Sequence, residues 1–473
     1  MIHGGAKAAE SHDVIIIGAG LSGLNAAMLL KEQGLRPIVL EAASEVGGRV
    51  KTVQTVEGGI DVGASQIGRG YARAIDLCQR LGLKLVTEDR DLLTFGAHYK
   101  DTWIDNKTWS QSPLNQCVGE EREITPLMMG SRLVSKYNPL VELDDWLNPR
   151  FAQYDISLRQ LLQARGHSPQ AIELAALSTP GISIDGTSVL RMWQEEVRGG
   201  LERKLGDGGA PRKDHPFGEG NDHKEIGGLA AISNIEGGCQ RLPLAMAAHL
   251  GDAVRLNKAV ARIEMTDRSA RVTCEDGQVF NARFVVSAVP FTRLRKISIE
   301  AKPNPLVTQA ITQMPYANTA RMYLTVEPFW LDDGLPPSFS TDGPMGMFWA
   351  IDNHKGTGAH RAMIVMVGPA ATAISARGPE AVAPYLFEEL ARLRPASRGR
   401  VRLNTYKDWA LDPLQLGCGF SLAPGQVNAF ARDMLTPWQV MHFAGEHTRR
   451  IEFGMESALE SGERVALEII SRA

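Results

Sequence analysis

Val14-Ile15-Ile16-Ile17-Gly18-Ala19-Gly20-Leu21-Ser22-Gly23, continuing through Pro37-Ile38-Val39-Leu40-Glu41, is the stretch that decides the fold. Four β-branched residues in a row suit a strand buried on both faces of a parallel sheet. The glycine turn follows at once. Leu21, Leu24, Ala27 and Met28 then recur at helical spacing, and Gly34 is placed to cap the helix. A second strand, Pro37 to Leu40, ends on Glu41, 18 residues beyond Gly23. Strand, glycine turn, helix, strand and acid together form the arrangement that binds a dinucleotide. Gly18 permits the tight turn, Gly20 lets backbone approach a pyrophosphate, and Gly23 lets the helix pack closely on the strand. The helix N-terminus offers N–H groups and its positive dipole end to phosphate, and Glu41 is placed to accept from ribose hydroxyls. Gly47-Gly48-Arg49 lies just beyond, where Arg49 can pair with the pyrophosphate. A nicotinamide enzyme has no need of this second phosphate-facing loop so near the first.

The chain around this stretch has 473 residues, 44% of them apolar and 22% charged. This is globular composition, long enough for two or three domains. With 51 basic against 54 acidic residues the net charge is -3, which argues against nucleic acid as a partner. No apolar run approaches the roughly 20 residues of a membrane span. Met1 to His12 lacks the apolar core of a secretory signal. Cys78, Cys117, Cys239, Cys274 and Cys418 are scattered and odd in number, which excludes a disulfide framework and fits a cytoplasmic location. Neither an HxxxH metal pattern nor a GxSxG elbow is present.

Residues 199–228 hold nine glycines, two prolines and many charges, and read as a surface loop, with a substrate lid as the alternative. Beyond them the pattern gives a helix from Arg241 to Leu250. Strands follow at Val254–Leu256, Val260–Glu264, Arg271–Cys274 and Phe284–Val289, with a hairpin turn at Asp276-Gly277. Arg321–Val326 alternates like a half-buried strand. A strand at Met441–Ala444, a glycine turn and a helix with Met455, Ala458, Leu459, Ala466, Ile469 and Ile470 on one face close the chain.

Several of these segments resemble the flavin amine oxidase family, which includes monoamine, polyamine and L-amino acid oxidases. The residues concerned are Glu41-Ala42 with Gly47-Gly48-Arg49-Val50, Asp61-Val62-Gly63-Ala64-Ser65, Gly237-Gly238 with Gln240-Arg241-Leu242-Pro243, Val285 to Pro290, and Phe443-Ala444-Gly445-Glu446-His447-Thr448 with Met455-Glu456-Ser457-Ala458. The resemblance implies an α/β fold. A Rossmann-like FAD-binding domain is assembled from residues 1–90, 236–300 and 404–473, and is interleaved with an α+β substrate domain with a mixed sheet from 91–235 and 301–403. It implies FAD as cofactor, held by Gly18, Gly20, Gly23, Glu41, Gly48, Arg49, Ala64, Ser65, Val260, Trp409, Gly445, Glu446 and Met455. Val260 matches the residue whose backbone meets adenine, Trp409 one beside the flavin ring, and Met455 one whose N–H faces the pyrimidine edge. The implied reaction moves hydride from an amine to flavin N5. It gives an imine that hydrolyses to aldehyde or ketone, with reoxidation by oxygen, forming hydrogen peroxide, or by another acceptor. The flavin carries the chemistry, so no catalytic dyad is implied. A homodimer is compatible with the family.

The sequence also departs from the family. The two aromatic cage positions of monoamine oxidases fall on Gly419 and Gly454, with Phe420 and Phe453 one residue away. The lysine that many members carry ten residues before a Trp falls on Ala320, which puts Arg321 on the opposite strand face and leaves rapid reaction with oxygen in question. Cys418 stands where some members link the flavin covalently; a small buried residue is the alternative. Arg69 and Arg321 are the candidate cations if the substrate is an amino acid, as in an oxidase or monooxygenase of that class. A desaturase or isomerase of an apolar substrate, and a flavin-bearing interaction protein, are further alternatives.

Overall fold

The computed structural model describes residues 10–55, 58–68, 70–87, 95–178, 183–207, 232–351 and 358–473. The opening strand Glu10–Ile17 lies in the interior of the larger sheet, with Val14, Ile15 and Ile16 fully buried. It pairs in parallel with Pro37–Leu40 on one side and with Val279–Ser287 on the other. Val254–Arg255 extends the first side. On the second side, Val279–Ser287 divides its far edge. Its first half pairs antiparallel with Ala270–Cys274, and its last three residues pair in parallel with Met441–Phe443. Val260–Met265 and Ser298–Glu300 complete the order. The sheet is thus built from chain segments near residues 10–40, 254–300 and 441–443.

Leu21–Glu32 lies against this sheet and also packs on the last helix, Gly454–Ile470. Gly462 makes that contact close: a Cβ there would fall 2.4 Å from the Ser22 carbonyl oxygen. Asn25 Nδ2 donates to Leu459 O at 2.8 Å across the same seam.

A second, seven-stranded mixed sheet runs in the order Val401–Asp408, Thr319–Val326, His360–Val367, Met347–Ala350, Ser338–Thr341, Phe95–Tyr99, Thr102–Ile104. Ala320, Met322, Leu324 and Val326 of its long strand bury into a separate core with Phe329, Phe339 and Phe348. The strand is therefore covered on one face by this core. Its other face, with Arg321 and Tyr323, looks into the space between the sheets.

Two sequence expectations are corrected here. Residues 199–207 are not loop but the last turns of a helix, Val189–Asp207. Leu201-Glu202-Arg203-Lys204-Leu205 is a run of good helix formers that carries the helix past Gly199-Gly200. The remainder of the expected loop, 208–228, lies outside the described residues. The strand expected at Phe284–Val289 begins five residues earlier, at Val279. Among the described residues, no helix is long and apolar enough to cross a membrane, and no cluster of side chains suits a metal ion.

Candidate active site

One cavity of about 720 Å³ opens between the two sheets. At one end it is lined by Leu40, Glu41, Lys258 and Val260; it passes Gly18, Gly20, Gly48 and Arg49 and reaches Ala64, Ser65, Trp409, Gly445, Glu446 and Met455. Gly23 does not line it. A Cβ on Gly23 would fall 2.1 Å from the Gly18 carbonyl oxygen, so this glycine serves the packing of helix on strand.

Two helix N-termini open on this cavity. Leu21–Glu32 has Gly20 as its N-cap and no side-chain cap. Gly454–Ile470 likewise has none, because its N-cap is Phe453, and Glu456 in its first turn instead accepts from the N–H groups of Arg73 at 2.9 Å and Ala74 at 3.1 Å. Uncapped N–H groups and the positive ends of two dipoles suit an anionic or electron-rich ligand. Glu41 accepts from Ala19 N at 2.7 Å and Ala43 N at 2.8 Å. Burial holds its carboxyl above the ordinary range despite these bonds. Arg49 Nη1 meets Glu446 Oε2 at 3.2 Å and donates to the Cys418 carbonyl oxygen.

The second sheet grips the other wall through three consecutive carbonyls. Tyr323 Oη donates to Asp61 O at 2.5 Å, Trp409 Nε1 to Val62 O at 3.2 Å, and Arg321 Nη1 to Gly63 O at 3.0 Å. Two donors from the strand Thr319–Val326 and one from the residue after Val401–Asp408 thereby fix the Asp61–Gly63 backbone beside Ala64 and Ser65. Outside the cavity, Arg191 and Arg449 flank Phe420 and both pair with Glu195 at 3.0 Å. Against burial, which pushes it up, these two guanidinium groups hold the Glu195 carboxyl at about 2. Arg198, paired with Glu452 at 2.6 Å, and Gln194, donating to Ile451 O at 2.5 Å, continue the same helix face. Together they fix residues 449–453, the approach to the last helix.

Of the sequence-derived substrate positions, Gly419 and Gly454 line the cavity. Phe420 and Phe453, the neighbouring pocket candidates, do not line it. Phe420 is buried between the two arginines, and Phe453 sits edge-on to Tyr71 beside Arg198. Ala320 is also corrected. It is fully buried in the second core, and Arg321 takes the cavity-facing place. The count from Trp330 back to Ala320 crosses a strand end and the turn at Glu327–Phe329, so it does not preserve strand parity. Arg69 lies outside the described residues. Cys418 lines the cavity and is partly exposed. Sequence reading missed Tyr323, Lys258 and Arg293 in the lining; the spacing of Arg321 and Tyr323 two residues apart was the available signal for the first.

The profile of flavin-containing amine oxidoreductases matches residues 21–470. The chain belongs to this family. It is 27% identical over 492 residues to the flavin-containing amine oxidase of Danio rerio, covering 98% of this chain and 86% of that one. It is 25% identical over 474 residues to flavin-containing amine oxidase B of Homo sapiens, covering 97% and 86%. Among solved structures, a triple variant of putrescine oxidase redesigned in cofactor binding superposes with a TM-score of 0.77 at 22% identity, covering 98% of this chain and 100% of that one. Cyclohexylamine oxidase from Brevibacterium oxydans IH-35A gives a TM-score of 0.75 at 21% identity, covering 98% and 99%. The chain is accordingly an FAD-dependent amine oxidoreductase with the fold of these oxidases.

Proposed function

We propose that the chain oxidises the carbon–nitrogen bond of a small amine in the space before Trp409, Gly419 and Gly454, and that FAD fills the cavity from Glu41 to Met455. The observation that carries this reading is the single cavity running past Glu41 and both uncapped helix N-termini. The residues present suit the cofactor. Gly20 leaves open space where a Cβ would stand, Arg49 offers a cation for the pyrophosphate, and Glu41 offers a half-buried carboxyl for the ribose. FAD, when bound, supplies the hydride-accepting ring. The protein positions the amine, excludes water and stabilises negative charge through the N-terminus of Gly454–Ile470. The amine loses two hydrogens to become an imine, which water cleaves to an aldehyde or ketone. Oxygen, reduced to hydrogen peroxide, is the proposed acceptor, with another carrier as the alternative. Glycines at both cage positions leave room for a bulky or substituted amine.

The proposed FAD-binding domain is residues 1–90, 236–300 and 404–473, and the substrate domain 91–235 and 301–403. The first sheet draws its strands from the former segments, while the second-sheet strand Val401–Asp408 runs across the boundary at 404. The proposed compartment is the cytoplasm, consistent with five unpaired cysteines. Anaerobic mixing with a panel of amines, followed by air, tests the reading: a substrate bleaches the flavin, and the rate of colour return measures oxygen as acceptor. A panel with no bleaching amine would overturn it. Precipitation in acid tests a thioether from Cys418: colour in the pellet that is lost in Cys418→Ala supports the link, and colour left in solution excludes it.

A further inference from the structure

We propose that Arg293 and Gln415 close over the cofactor's pyrophosphate, Arg293 supplying an unshared cation and Gln415 an amide donor. This rests on the FAD-binding reading above and adds to it two side chains from outside the glycine turns. Both residues line the cavity. A Cβ on Gly48 would stand 3.8 Å from Gly20 Cα and 3.9 Å from Gln415 Nε2, so the amide borders the gap between the two phosphate-facing glycines. Arg293 comes from the chain that passes the same turn. Ala288 O and Val289 Cγ1, just beyond the strand Val279–Ser287, lie 3.2 and 3.1 Å from where a Gly18 Cβ would stand. The short helix Phe291–Leu294 follows, and its Thr292 Oγ1 donates to Gln415 O at 2.6 Å. That bond ties the Arg293 turn to the Gln415 turn. Asp412 holds the latter, accepting from Leu414 N through Oδ1 and from Leu416 N through its carbonyl, each at 2.9 Å.

Charge along the cavity singles out Arg293. Arg49 is matched by Glu446 at 3.2 Å and donates to the Cys418 carbonyl. Lys258 is matched by Asp276. Each of these cations already faces an acid, so neither has a whole charge to give a doubly negative pyrophosphate. Arg321 and Arg361 belong to strands of the second sheet. Arg295 is turned elsewhere, donating to Ile311 O and Met314 O at 2.5 Å each. Arg293 is half-buried, and its guanidinium makes no hydrogen bond or ion pair with any described residue; the same holds for the Gln415 amide. A guanidinium fork with all its donors free matches two phosphate oxygens at once.

The test uses the full-length Cys418→Ala chain, which cannot hold flavin through a thioether, freed of FAD and titrated calorimetrically with FAD, ADP and adenosine. Arg293→Met is expected to raise the dissociation constants of FAD and ADP at least about tenfold and to leave adenosine within about threefold. Arg293→Lys, which keeps the charge and loses the fork, is expected to lose less. Gln415→Leu carries the same comparison without touching the charge, and is expected to weaken FAD and ADP about threefold or more. Added salt is expected to weaken ADP more steeply in the parent than in Arg293→Met, a difference that a merely structural arginine would not produce. Unchanged FAD and ADP constants in Arg293→Met, or a loss for adenosine equal to that for ADP, overturn the assignment. FAD binding that ignores both substitutions removes this site alone. A parent chain that binds neither FAD nor ADP removes the underlying reading.

Discussion

Two glycines three residues apart make opposite demands, and alanine substitution separates them. A Cβ on Gly23 would stand 2.1 Å from the Gly18 carbonyl oxygen and 3.2 Å from both Ala288 Cβ and Ile16 Cγ2. The nearest obstacle is backbone, so no rotamer change relieves it and the helix must move off the strand. Overpacking of this kind costs about 1–3 kcal/mol, and a backbone collision belongs at the upper end. At about 1 °C per kcal/mol for a chain of 473 residues, Gly23→Ala should lower the melting temperature of the flavin-stripped chain by roughly 2–3 °C. Gly20 differs: its φ is -78° and a Cβ meets nothing within 4 Å. Gly20→Ala should therefore leave the stripped chain within about 0.5 kcal/mol of wild type. The open space lies inside the cavity, where the pyrophosphate is proposed to rest. A methyl group there should weaken FAD at least about tenfold, or roughly 1.4 kcal/mol. Calorimetry of stripped protein and fluorescence titration with FAD read the two quantities separately. If Gly20→Ala binds FAD as tightly as wild type, or destabilises the stripped chain as much as Gly23→Ala, the division of roles is wrong.

The two cage glycines should also behave differently. A Cβ on Gly419 meets its nearest atom, Glu446 Oε1, only at 4.0 Å, so Gly419→Ala should fold normally and narrow the range of bulky amines that bleach the flavin. Gly454 has a φ of +61° and a Cβ would meet Tyr71 Oη at 2.7 Å; Gly454→Ala should cost about 1–3 kcal/mol and melt earlier by roughly 1–3 °C. A third expectation concerns acid. Burial, reinforced by Arg49 and then Arg464, pushes the His447 imidazole down to about 3. The unfolded chain therefore binds a proton below about 6.5 that the folded chain refuses. Stability from this group is complete above that pH and falls as pH drops toward 3, by at most about 1.4 kcal/mol per unit. Urea midpoints at pH 7, 6 and 5 should decline less steeply in His447→Leu than in wild type, and parallel declines would refute the assignment.

Local signals carried the first unit of the fold. The run Val14–Ile17, the glycine turn and the strand Pro37–Leu40 follow from residues adjacent in the chain, and the helix Arg241–Leu250 begins and ends where its periodicity places it. Val279–Ser287 was harder to read because one strand serves two environments. Phe280 and Ala282 alternate with Asn281 and Arg283 beside a hairpin, whereas Phe284 to Ser287 is buried on both faces. Arg321 was misread because facing is a matter of parity, and one residue of error reverses it. The pairing of its strand with Val401–Asp408 itself slips between Tyr323 and Leu324. The bonds to the Asp61, Val62 and Gly63 carbonyls had no sequence signature, since a backbone acceptor is the same atom in every residue.

The central strand Val279–Ser287 has consequences for biosynthesis. Its neighbours arrive at very different times: Glu10–Ile17 is among the first strands made, and Met441–Phe443 is among the last. On a ribosome adding about 5–20 residues per second, the nascent sheet keeps an incomplete edge for roughly 8–30 s while the intervening second sheet is synthesised. An unpaired edge invites intermolecular strand addition, so overexpression at low temperature or with added chaperone should favour soluble yield more in this chain than in one whose nucleotide-binding sheet is contiguous.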